Sequence, residues 1–326
     1  MNGRKALALL LLAQAWGFPK AAGADDVPNP EPYRRAFFAT LENLNGALKS
    51  KGLPIVGVDP EQVRVVLKDS ILGPKTVLVH VNPAFNVEFL RPTDRAKSPS
   101  IAGFYRDIPL SWLGSYDAPP KPVWNSERAV QEGKFWYGAV YGEPLAHVGA
   151  AETEFEDQMN LPKYREGEWV IRWRRIDAEG HRFQLDNIYC TLDEKFGVSF
   201  LSRLFVSTFA EGQKVLVSAD QAMAVAQRAA QKLLAGPMTS AWPKGLTLIP
   251  EGKPETLIVN PNHLMKYKTP DEVPVGDVVA RLAWVTKFRA SDDKGSDAFI
   301  FLWIDTETKE VLGGDFTYFT KNQRPR

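Results

Sequence analysis

The feature that most limits the fold is a pattern that occurs twice: one capped helix, then three strands joined by tight polar turns. In the later copy Ser218-Ala219-Asp220-Gln221 spells a capping box, in which the serine hydroxyl takes the N3 amide and the glutamine side chain reaches back. Ala222, Val225, Ala226, Ala229 and Leu233 follow at helical spacing, and Gly236-Pro237 stops the helix. In the earlier copy Ser126 is the expected cap. Ala129, Val130, Gly133, Trp136, Tyr137, Val140 and Tyr141 make the apolar stripe, and Gly142 ends it. Gly133 and Gly138 each cost a helix about 1 kcal/mol, so close approach to a packed surface is their expected compensation.

Strands follow each helix. In the first copy Trp169, Ile171 and Trp173 alternate with Val170, Arg172 and Arg174. Turns at 178–180 and 193–197 then lead into Phe183 to Leu192 and Val198 to Ser207. In the second, Leu282, Trp284 and Phe288 lie on a strand, and Phe299 to Ile304 is apolar throughout, as in a strand covered on both faces. An Asp305-led turn then leads into Val311 to Phe319. A helix laid over an antiparallel sheet buries apolar faces that neither element could bury alone. Before these copies, Tyr33 to Lys51 reads as a helix with Phe37, Leu41, Leu44 and Leu48 on one side. Val63 to Leu67, Thr76 to Val81 and Asn86 to Leu90 read as strands. Segments 97–100 and 116–122 read as linkers. Residues 236–276 read as an insertion carrying a hairpin, Leu246 to Ile249 against Thr256 to Val259.

Arg4 and Lys5 precede an apolar run from Ala6 to Phe18 broken only by Gln14, and Ala22-Gly23-Ala24 supplies a small-x-small cleavage pattern. This is the pattern of a secretory signal peptide, too short to span a membrane. The expectation is export to a bacterial periplasm or the extracellular space, with cleavage after Ala24. Loss of Arg4, Lys5 and Lys20 with the leader takes the formal charge from +1 to −2, which argues against a nucleic-acid partner. The sequence contains one cysteine, Cys190, so no intrachain disulfide forms. It alternates with Ile188 and Leu192 as a small buried hydrophobe would.

Chemistry is sparse. His80, His147, His181 and His263 form no helical zinc pair. No Gly-x-Ser-x-Gly elbow and no phosphate-binding glycine loop occurs. No catalytic residue, metal ligand or cofactor is assigned. Glu152, Glu154, Glu156 and Asp157 read as a solvated acidic loop; on a strand the three glutamates would share a face and could hold a hard cation. Trp169, Arg172, Trp173 and Arg174 are the candidate binding surface, with Arg175 beside them. A solvated sheet face is the plainer reading, and a peptide or anion groove the sharper one.

The later copy resembles the PepSY domain family, in the capped Ser218-x-x-x-Ala222-x-x-x-Ala226 helix, in Trp284-Val285-Thr286-Lys287-Phe288, and in Leu302-Trp303-Ile304-Asp305 closing on a turn. Where the family commonly has glycine in that turn, Thr308-Lys309 stands here. The resemblance implies small exported bacterial α+β modules, some in protease propeptides, with no catalytic residues to carry over. The expected fold class is α+β, as tandem helix-plus-antiparallel-sheet (PepSY/cystatin-like) units after a signal peptide. The segments are a leader (1–24), an N-terminal α+β region (25–118), a first copy (119–210) and a second copy (211–326). The expected function is a non-catalytic binding module of the cell envelope or periplasm, inhibitory or protein-docking, with no transmembrane anchor. The alternative is a secreted hydrolase using the acidic residues at 152–157.

Overall fold

The computed structural model describes residues 27, 29–68, 76–81, 85–90, 99–106, 121–161, 164–205, 207–240, 242–266, 279–292 and 297–319. The leader lies outside them, as do 97–98 and 116–120 of the expected linkers and 267–276 of the expected insertion. The fold is α+β. Its described residues fall into two units, one within Ala15–Arg175 and Asp186–Phe205, the other within Ile176–Leu185 and Val206–Arg326.

The first unit has two helices, α1 (Glu31–Ser50) and α2 (Ser126–Tyr141). Its strands are β1 (Arg64–Lys68), β2 (Thr76–Val81), β3 (Phe85–Leu90), β4 (Ser100–Arg106), β5 (Glu152–Leu161), β6 (Tyr164–Ile176), β7 (Arg182–Asp193, from Asp186 on) and β8 (Gly197–Leu204). They pair in the order β1-β2-β3-β4-β8-β7-β6-β5. Tyr33, Phe37, Leu41, Leu44 and Leu48 form a buried stripe on α1. Ring contacts run from Phe37 to Phe85 (centroids 5.3 Å apart) and from Phe85 to Phe104 (5.8 Å). Trp136, Trp173, Ile171, Ile188 and Leu192 continue the same core below α2. Burying each such side chain contributes about 1.5–3 kcal/mol. The register carries the core face across the sheet: Val87 opposes Phe104, Phe104 opposes Leu201, and Leu201 opposes Cys190. Both helices therefore lie on one face.

The second unit has one helix, α3 (Ala219–Leu234), against β12 (Val279–Ser291), β13 (Asp297–Asp305) and β14 (Val311–Phe319). Its buried residues are mostly alanines (Ala222, Ala226 and Ala230, with Leu233), which let the helix axis approach Phe288, Ile300, Leu302 and Ile304. The Ser218–Gln221 capping box forms as expected. Two-residue β9 (Thr208–Phe209) pairs with β12 in parallel. Within this unit, β11 (Glu255–Val259) also pairs in parallel with Arg182 and Phe183.

Several expectations change. Asn125, not Ser126, caps α2: its side-chain oxygen accepts from the Arg128 amide at 2.8 Å, and Ser126 is already helical. Residues 152–156 are not a loop but the start of β5, since pairing with β6 satisfies their backbone. Ser100, expected in a linker, opens β4, which slots between β3 and β8. The strand after Gly197 ends at Leu204, short of Ser207. β10 (Thr247–Pro250) and β11 are not a hairpin. Thirteen-residue β12 accommodates both, pairing Phe288–Ser291 with β10 and Arg281–Val285 with β11. β13 lies between β12 and β14, but Phe299 and Phe301 stay half-buried, with Lys287 over both rings.

Candidate functional site: the helix-free sheet face

The four expected surface residues do not share a surface. Trp169 (5% exposed) and Trp173 (1%) point into the core beneath α2, and the Trp169 indole donates to Glu194 at 2.8 Å. Alternation sends Arg172 and Arg174 to the opposite face, which none of the described helices of this unit covers. The sequence pattern was right about alternation. What it lacked was the sign of burial, because Trp is at home both in cores and on binding surfaces.

Cross-strand register builds that open face. Glu152 opposes Arg172, Glu154 opposes Val170 and Glu156 opposes Glu168, so the three glutamates share the face with the arginines. Arg174 Nε lies 3.4 Å from Glu152 in a solvent-accessible pair that contributes little. The Arg172 guanidinium sits over the Tyr189 ring, 5.6 Å from its centroid. Tyr189 meets Phe200 edge-on, centroids 5.8 Å apart, and Phe200 stands opposite Tyr105 on β4. Tyr105 is 38% exposed. Burial holds the Tyr189 hydroxyl up at about 12, with Glu156 adding to the effect and Arg172 opposing it. Tyr105, Phe200 and Tyr189 capped by Arg172 thus form an aromatic strip rimmed by carboxylates. Sequence reading missed it because its members come from three segments whose adjacency is set by the β4–β8 and β7–β8 pairings.

The remaining candidates are structural. Cys190 is fully buried and its thiol is pushed well up by burial, as expected of a core residue. Arg175 reaches the fully buried Asp186 at 2.8 Å. Burial, with Arg64 nearby, lowers His80. Among the described residues Asp177, Glu179 and His181 bring ligand atoms within 4.8 Å of one another. Both Asp177 oxygens, however, already accept from His181, one from its amide (2.7 Å) and one at its ring Nδ1 (2.9 Å). The group locks the β6–β7 turn. His263 adopts a left-handed backbone, and its amide donates to Leu312 on β14. His147 also adopts a left-handed backbone, at φ 55°. Among the described residues no helix is long and apolar enough to cross a membrane.

No protein-family model and no curated protein matches the chain. Among solved structures it is similar to the Bacillus megaterium YpeB C-terminal domain, at 10% identity and a TM-score of 0.37, over 87% of this chain and 97% of that one. A likeness that distant transfers neither fold nor function, so the PepSY resemblance stands on the motif residues named above.

Proposed function

We propose that this protein is an exported, non-catalytic binding module of a bacterial cell envelope, and that it takes a protein or peptide partner on the helix-free face of the first unit. The aromatic strip carries the proposal. Tyr and Arg dominate the energetics of protein contacts, and here the exposed Tyr105 and the half-buried Arg172 flank the buried Tyr189 on this face, with charged residues at the rim. Among the described residues β5 pairs with β6 alone, and its other edge offers an extended segment a further place to add as a strand. A photoreactive residue placed at Tyr105 is expected to crosslink one discrete partner in the native compartment, and Arg172→Glu to abolish the adduct. A crosslink unaffected by Arg172→Glu, or none at all, overturns the reading.

The proposal extends to ancestry: residues 126–207 and 218–319 are two PepSY-like units. One recurrence supports this. Asp193 Oδ1 accepts from the Lys195 and Phe196 amides at 2.7 and 2.8 Å, and Asp305 Oδ1 accepts from the Glu307 and Thr308 amides at 2.9 and 2.8 Å. Four residues after each aspartate the backbone turns left-handed, at Gly197 (φ 80°) and Lys309 (φ 66°). Superposition of the two segments in an experimental structure tests it.

One observation favours a second reading, a hydrolase with a carboxylate base. Glu156 stands directly across from Glu168, and the Ser199 hydroxyl donates to Glu168 at 2.8 Å. Replacing Glu154, Glu156 and Glu168 with Gln should abolish any hydrolytic activity found; undiminished turnover excludes this role.

A further inference from the structure

A cavity of about 250 Å³ opens between α2, the 145–151 segment and β6, on the helix-covered side of the sheet and apart from the aromatic strip. Its exposed lining is polar in larger part; Val130, Leu145 and Val148 supply apolar surface above the buried Trp173, and its charged or titratable lining residues are Lys134 and His147. Both are exposed, and neither has an ion-pair partner among the described residues. The left-handed backbone at His147 holds this loop in its course, while the Gly149 amide donates to the Arg174 carbonyl at 3.0 Å and Val148 bridges to Arg175. The segment is thereby tethered to β6.

Size and charge together restrict the occupant. Drug-sized ligands occupy about 300–1,000 Å³, so this space admits a group about the size of one residue. Val130, Leu145 and Val148 give one side of the space to a small aliphatic group. The rim carries cationic capacity with no carboxylate in the lining, which selects an anion and disfavours a cation. We propose that this cavity binds a carboxylate carried on a small apolar group. Two sources share that chemistry, a free short-chain organic acid and the C-terminal residue of a peptide. The site is independent of the sheet-face reading.

The test is ligand-observed NMR on the purified full chain with four probes at millimolar concentration: isovalerate, N-acetyl-leucine, N-acetyl-leucinamide and a tetrapeptide ending in a free leucine. At least one carboxylate probe is expected to bind saturably and the amide not to bind. Lys134→Glu should weaken binding about tenfold, Lys134→Arg should retain it, and Lys134→Gln with His147→Gln should remove its salt dependence. Binding by isovalerate but not by the tetrapeptide identifies a free acid as the source, and the reverse identifies a peptide end. Equal binding of the amide, indifference to Lys134→Glu in a variant that melts like the parent, or no saturable binding of any probe overturns the proposal. None of these outcomes bears on the Tyr105 crosslink.

Discussion

Single residues in the turns carry energies that can be ranked. Gly197 sits at φ 80°, and a Cβ there would stand 2.7 Å from Trp136 Cζ2 and 3.0 Å from Leu53 Cδ1. Gly197→Ala therefore combines a left-handed backbone penalty with overpacking, and should lower unfolding free energy by about 2 kcal/mol or more in urea titration. Lys309 occupies the equivalent place in the other Asp-led turn, so Lys309→Gly should raise stability by up to about 1 kcal/mol. Tyr189 gives a pH signature. Its folded-state pKa of about 12 lies above the ordinary value of 10, so the neutral hydroxyl is the form that the fold favours. That stability is present below about pH 10 and lost as pH rises toward about 12. Tyr189→Phe should make the urea midpoint less sensitive across that window.

Whole elements obey the same spatial limits. The two glycines of α2 look alike in sequence but differ in surroundings. A Cβ at Gly133 would meet Trp173 Cη2 at 2.7 Å and Ile171 Cδ1 at 3.0 Å, whereas at Gly138 the nearest atom is the Glu143 carbonyl oxygen at 3.8 Å. Gly138→Ala should stabilise by about 1 kcal/mol through helix propensity, and Gly133→Ala should destabilise by about 1–3 kcal/mol; thermal melts of the pair decide this. Close approach thus explains one glycine and not the other. Between β6 and β7, Asp186 is fully buried against Arg175. Asp186→Ala leaves the guanidinium without its buried partner and should cost about 3 kcal/mol.

At the scale of the molecule, the proposal of export makes a chemical prediction. Protein recovered from the periplasm or medium of an expressing bacterium should begin at Asp25 by N-terminal sequencing. Recovery beginning at Met1 rejects cleavage after Ala24. The two units bury their apolar faces by different means. One lays two aromatic-rich helices over eight strands, and the other lays one alanine-rich helix close against β12–β14. This difference tracks side-chain volume. Phe37, Trp136 and Trp173 fill space that in the second unit is closed by bringing backbones together.

What the sequence determined was local. The helices follow from 3.6-residue apolar spacing and from chain-local caps such as Ser218–Gln221, the strand 169–174 from alternation, and the strand 311–319 from the Asp305-led turn before it. Those signals depend on neighbours within a few residues, so they survive without tertiary context. It did not determine which side of β6 faces inward, that 152–156 and 100–106 are strands, or that β10 and β11 line up along β12. Register and burial depend on segments far apart in the chain, because a strand's hydrogen bonds are made with partners its own sequence does not name. The aromatic strip and the cavity beside Lys134 are products of that pairing. Tyr105, Tyr189 and Phe200 meet through β8, and Lys134, His147 and Trp173 converge because Val148 and Gly149 pair with β6.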